Sequence, residues 1–278
     1  MIEFVKDKNG DPLDIRSLTG RLPFFAVTQG AASDGKNIYM IFERKHKKKR
    51  THRCKIVKLD AASMKIVKIS GELRIGHGND LAFYRGVLYV THSRSGRILH
   101  RVDAETLKQL PDVKVLIPAP AKLPAGSKIL LSHAMKKHSI KAFNGIACDG
   151  AGNGTPRFTL RVMQSPGMLV AEPRENGDLT VVRYYRTERF YRTSQSMDQK
   201  DGLTYRVYSH GQSRRRNFLV VFDGDGKMLR RTLLPVTGEV ESVFFVGDRL
   251  YGSVYRRIKD RDGVHHFAAY LFRIELPD

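Results

Sequence analysis

The sequence predicts an all-β fold, a single five-bladed β-propeller, and three observations carry that prediction. A polar amide or acid precedes a short apolar strand five times, at Gln29, Asn79, Asn144, Gln195 and Glu241. In four copies a tyrosine follows ten residues later, at Tyr39, Tyr89, Tyr205 and Tyr251, and is expected to end the next strand. The copies start 50, 65, 51 and 46 residues apart, a period that suits one four-stranded blade per repeat. The 278 residues are expected to form one domain spanning positions 1–278.

Within each repeat, a Gly-containing pair marks the hairpin between the first two strands: Asp34-Gly35, Arg85-Gly86, Asp149-Gly150, Asp201-Gly202 and Gly247-Asp248. Glycine accepts the positive φ of tight hairpins, so these pairs predict where the chain reverses. The third copy has lost its tyrosine because residues 150–156 lengthen the turn. A third strand ending at Asp and reversing through small residues recurs at Asp60, Asp103 and Asp223. The last repeat has three strands and then the chain ends. A strand from within residues 2–18 is expected to complete that blade and remove an open sheet edge. Residues 110–131 contain Pro111, Pro118, Pro120 and Pro124 and are expected to form a long loop over one face.

Composition narrows the function classes. Lys plus Arg exceed Asp plus Glu, giving a formal charge of +21, which implies a polyanionic partner. Two cysteines, Cys54 and Cys148, are too few for a disulfide framework or a cysteine-built zinc site. The first residues lack the basic start and apolar core of a secretory signal, and no stretch is apolar enough to span a bilayer. A chain that is cytoplasmic or exported by another route, and monomeric, is expected.

In the tenfold register, Gln29, Asn79, Asn144, Gln195 and Glu241 share one level and converge on the central axis. Four amides and one carboxylate there suit a small polar ligand or an ion, or serve as a water-filled structural plug. His77 and Asp80, in Gly76-His77-Gly78-Asn79-Asp80, add a candidate acid-base pair to that mouth. His77 also reads as a loop residue and Asp80 as a loop anchor. Glu241, with Glu239 beside it, is the natural counter-charge for a cation or a hydroxyl donor. Lys47, Lys48, Lys49 and Arg50, with Arg214, Arg215 and Arg216, fall where second strands pass to third strands, on one rim, and are the candidate polyanion contacts.

The phrases Gln29 to Tyr39, Gly76 to Leu81 and Glu239-Val240-Glu241-Ser242 resemble bacterial five-bladed propellers of the helveticin J-like type. That resemblance implies a bacteriocin-like, cell-envelope function, with teichoic acid or another envelope polymer as partner. Asn79-Asp80, Asn144-Gly145-Ile146 and Asp201-Gly202-Leu203 resemble the metal-holding positions of the regucalcin and gluconolactonase propellers, which implies calcium or another divalent cation. The expected function is a basic propeller that binds a polyanion at its rim and a small ligand or ion at its axial mouth, without need of catalysis. The alternatives are a metal-assisted hydrolase or lyase acting on a lactone, ester or glycan at that mouth, through His77, Asp80 and Glu241, and nucleic-acid binding.

Overall fold

The computed structural model describes residues 1–19, 25–44, 53–92, 96–119, 122–127, 140, 142–150, 155–163, 165–188, 193–209, 216–259, 263 and 265–276. The chain opens with β1 (Ile2–Phe4) and one short helical turn, α1 (Ile15–Leu18), capped by the Asp14 carboxylate. The first sheet follows as β2 (Phe25–Ser33), β3 (Asn37–Arg44), β4 (Cys54–Asp60) and β5 (Ile66–Ile69). The second contains β6 (Asp80–Tyr84), β7 (Val87–Thr91), β8 (Ile98–Asp103) and β9 (Gln109–Leu116). The third contains β10 (Phe143–Asp149), β11 (Arg157–Val162), β12 (Gly167–Pro173) and β13 (Leu179–Arg186). The fourth contains β14 (Thr193–Lys200), β15 (Leu203–Ser209), β16 (Asn217–Phe222) and β17 (Met228–Leu234). The last contains β18 (Glu239–Val246), β19 (Arg249–Lys259) and β20 (His265–Ile274), with β1 as its outer strand.

The innermost strands touch in the cyclic order β2, β6, β10, β14, β18 and back to β2. Apolar layers fill the gaps between successive sheets. Ile41, Leu81 and Val90 pack between the first and second, and Val243, Val207 and Leu219 between the fourth and fifth. Met40, Leu59, Phe244 and Leu271 close the ring between the fifth and the first. The missing strand comes from the N-terminus as expected: Ile2 pairs with Ile274, and Phe4 with Phe272.

The hairpin glycines behave as the sequence requires. Arg85 and Gly86 have φ of 44° and 79°, and Asp201 and Gly202 have φ of 51° and 75°, the left-handed pairs of a tight reversal. Asp60, Asp103 and Asp223 each accept backbone N–H groups of the following turn through one carboxylate oxygen.

Two expectations need correction. The repeated tyrosines do not end their strands: Tyr39, Tyr89, Tyr205 and Tyr251 are each the third residue of a second strand. They are buried because their rings fill the gap toward the neighbouring sheet. The segment 110–131 is not loop throughout, because residues 110–116 belong to β9. Pro111 is tolerated there because β9 is the outer strand of its sheet, and its carbonyl accepts from Arg101 Nε at 2.7 Å. The far end of β9 pairs in parallel with β13, Val115 with Leu179, and so joins two sheets. Residues 128–131 lie outside the described residues.

Candidate active site at the axial mouth

Four of the five periodic polar residues sit in bulges of the innermost strands. Register with the second strand breaks between Thr28 and Ala31 at Gln29, and between Phe143 and Gly145 at Asn144. It breaks between Ser194 and Met197 at Gln195, and between Val240 and Ser242 at Glu241. A bulge leaves its extra residue out of the ladder and re-aims the side chain. Asn79 immediately precedes β6, where its N–H donates to the Thr91 carbonyl at 3.0 Å. The backbones come so close here that a Cβ on Gly30 would stand 2.4 Å from the Asp80 Cα.

Asp80 lies at the centre of this crowding, fully buried. Its carboxylate accepts from the N–H of Leu81, Ile146 and Met197 at 3.0–3.1 Å and from Ser196 Oγ at 2.8 Å. Those donors come from three different sheets. Burial pushes this carboxyl well above its ordinary value, and the four donors pull it back. With both oxygens occupied by the fold, Asp80 is a clasp rather than half of an acid-base pair, and its expected partnership with His77 is corrected.

His77 instead faces Glu43. The His77 Nδ1 stands 2.8 Å from Glu43 Oε2, so the imidazole donates and the carboxylate accepts. The loop that holds His77 is built by its glycines. Gly76 and Gly78 have φ of 66° and 63°, and a Cβ on Gly76 would lie 2.2 Å from the His92 ring. Seated on that ring, the loop donates the His77 backbone N–H to His92 Nδ1 at 3.0 Å.

Two more glutamates join the group from β18. Gln195 Nε2 donates to Glu239 Oε1 at 2.6 Å, so a ring amide positions a carboxyl from the next sheet. Burial raises the Glu239 carboxyl, while the Gln195 hydrogen bond and the His77 charge oppose that rise. Glu241 is buried (4% exposed) and held well above its ordinary value, first by burial and then by the charges of Glu239 and Glu43. Three carboxyl groups and one imidazole from three sheets are therefore coupled electrostatically, with Gln195 joining them from a fourth. Carboxyls in unlike environments separate into a proton donor and a proton acceptor.

Gln29 lies midway along β2, Asn79 just before β6, and Asn144, Gln195 and Glu241 within the first three residues of β10, β14 and β18. Sequence reasoning missed Glu43, which comes from a second strand rather than an innermost one. Its only signal was position, as the acid directly ahead of the basic run 44–50.

The expected metal set does not fit. Asp80 is consumed by its four donors, and Asp201 sits on the β14–β15 reversal with its residue exposed. Among the described residues no group of three His, Cys, Asp or Glu side chains is arranged to hold a metal ion. Among those residues, too, no helix is long and apolar enough to cross a membrane.

No protein-family model matches the chain, and no curated protein matches it. Solved structures share the fold. The tail fibre of Staphylococcus aureus phage P68 aligns at a TM-score of 0.58 and 14% identity, over 99% of this chain and 53% of that one. A GH43_1 enzyme from Xanthomonas citri complexed with xylose aligns at 0.52 and 12%, over 92% of each chain. The GH43 β-1,3-galactosidase BT3683 aligns at 0.50 and 10%, over 95% and 96%. At such identities the likeness shows the fold, so the helveticin J and regucalcin resemblances hold as far as the propeller and no further.

The expectation of a basic propeller whose role is polyanion binding is overturned by these comparisons, because the solved structures of this fold include sugar-cleaving enzymes. Arg44 pairs with Glu72 at 3.1 Å, Arg183 pairs with Asp225 and covers the Tyr185 ring, and Arg256 stacks 4.5 Å from the Tyr270 centroid. These rim cations are engaged within the protein. Arg216 is exposed, and Lys47, Lys48, Lys49, Arg50, Arg214 and Arg215 lie outside the described residues.

Proposed function

We propose that the chain is a glycoside hydrolase whose active site is the axial mouth, with Glu239 as proton donor and Glu43 as base. The observation that carries this reading is the unlike setting of the two carboxyls. Glu239 is half-buried, raised by burial, and anchored through Oε1 by Gln195, which leaves Oε2 to carry a proton. Glu43 accepts from the His77 imidazole. Glycosidic cleavage uses such a pair, a carboxylic acid that protonates the leaving oxygen and a carboxylate that activates water. The GH43 enzymes that share the fold point to the same reaction class.

In the reaction, Glu239 gives its proton to the leaving glycosidic oxygen as the bond to the anomeric carbon breaks. A water attacks that carbon and gives its proton to Glu43. Atoms balance as one water consumed per bond. Glu241, buried and with its carboxyl raised by burial and by the charges of Glu239 and Glu43, favours its protonated form beside Glu239. No step is routed through a metal.

Leaving-group dependence tests the assignment. Glu239→Gln should lower turnover of glycosides with alkyl leaving groups by about 10²–10⁴-fold, the range of general acid catalysis. With a dinitrophenyl leaving group, which departs without a proton, the loss should shrink markedly. A panel of xylosides, arabinosides, galactosides, glucosides and glucuronides on which the wild-type protein releases no sugar would remove the reading. So would an unchanged Glu239→Gln variant.

A further inference from the structure

The gap between the third and fourth sheets differs from the others. Its apolar layer is small, formed by Ala147, Met168, Val170, Tyr185 and Met197. Two arginines occupy the adjoining space. Arg206 on β15 is 2% exposed, and its guanidinium lies between the Tyr208 and Phe222 rings, 5.0 and 5.3 Å from their centroids. Arg161 on β11 is half-buried, and burial followed by the charge of Arg206 pushes it down to about 9. Gly145 makes the room, because a Cβ there would stand 3.0 Å from the Arg161 Cβ.

Neither guanidinium has an acidic partner among the described residues. Arg206 Nη1 donates to Thr187 Oγ1 at 3.1 Å and Arg161 Nη1 to the Ser194 carbonyl at 3.4 Å. The Nε of each is buried without a partner. Asp80, whose charge acts on Arg161, is occupied by its own four donors. Two buried cations that interact with each other and have no hydrogen-bonded carboxylate are costly to the fold. Such a cost is met when an anion binds between them, and guanidinium forks suit an oxyanion.

The position relative to the acids gives the arginines their meaning. Arg161 donates to Ser194, and the next residue, Gln195, holds Glu239. We propose that Arg161 and Arg206 form a subsite for the carboxylate of an acidic sugar next to the bond that is cleaved. This inference rests on the hydrolase reading for its substrate, and on the arginine pair alone for its anion.

The test measures binding by calorimetry on Glu239→Gln, with D-glucuronate, D-glucose and inorganic sulfate as probes, and turnover of matched nitrophenyl glucuronide and glucoside on the wild type. Glucuronate should bind at least tenfold more tightly than glucose. Arg161→Gln in the same background should erase the preference, and Arg161→Lys should keep part of it. The wild-type melting temperature should rise with glucuronate and not with glucose, a readout that needs no arginine variant to fold. Equal binding of glucuronate and glucose overturns the proposal, and so does sulfate binding more tightly than glucuronate. Preference for glucuronate with no turnover of any glycoside supports the subsite and removes the hydrolase reading. Turnover of the neutral glucoside with no preference for the acidic one does the reverse.

Discussion

Four donors converge on the Asp80 carboxylate, three of them backbone N–H groups from three sheets. Alanine at this position would leave them buried and unmatched. Each such group costs about 1–3 kcal/mol, so Asp80→Ala should lose at least about 3 kcal/mol of stability in urea unfolding at neutral pH. A variant as stable as the wild type with turnover selectively abolished would return Asp80 to the catalytic set. The residue's importance was legible in the sequence and its role was not. A lone Asp next to a His and two glycines reads as acid-base chemistry, and only the arrival of Ile146, Ser196 and Met197 from other repeats shows a clasp. Glu43 is the converse case. Nothing in its own repeat distinguishes it, because its partners His77 and Glu241 are brought to it by the ring.

At the scale of the strand, innermost strands β6 and β14 are tied to their neighbours by side chains that reach backbone. Asp198 on β14 accepts the Phe245 N–H of β18 at 2.8 Å and the Gln199 N–H at 2.8 Å. Burial pushes its carboxyl up to about 6, against an ordinary value of 3.8. The native state therefore keeps this proton longer than the unfolded chain does. The stability that goes with it is fully present below about pH 4 and is lost as pH rises through about 6. Asp198→Asn removes the titration. Between pH 4 and pH 7 the wild type should lose on the order of 3 kcal/mol relative to that variant, read from paired urea melts. Parallel pH profiles for the two proteins would contradict it. The period of these strands was readable, since a polar residue stands in or just before each at spacings of 50, 65, 51 and 46. The bulges were not, because an alternation of apolar and polar residues does not say where one residue drops out of the ladder. That is why the tyrosines were expected at the ends of the second strands, whereas each is the third residue of its strand.

Closure of the whole molecule depends on its N-terminal segment. β1 covers the edge of β20, Val5 donates to the Leu271 carbonyl at 3.0 Å, and the Phe4 ring meets Tyr270 and Phe272 edge-on. Asp14 accepts the Ala269 N–H at 3.0 Å, and Arg16 donates to the Phe267 carbonyl at 2.6 Å. The need for such a strand was legible by counting, because the last repeat holds one strand too few. Its position within residues 2–18 followed from the rule that the opposite terminus closes a ring with a missing edge. Deleting residues 1–8 removes β1 and bares the edge of β20, a template for pairing with a second chain. The shortened protein should melt roughly 5–10 °C lower, a loss of a few kcal/mol at this chain length, and should self-associate with rising concentration in light scattering. A synthetic peptide of residues 1–18 added in trans should restore the melting temperature and reverse the added self-association. The axial site supplies the decisive readout. Glu239 and Glu241 stand at the start of β18, in the sheet that β1 completes. If closure positions the acids, turnover and melting temperature recover together as peptide is added. Full turnover in the shortened protein, with its edge still bare, would separate the site from the ring.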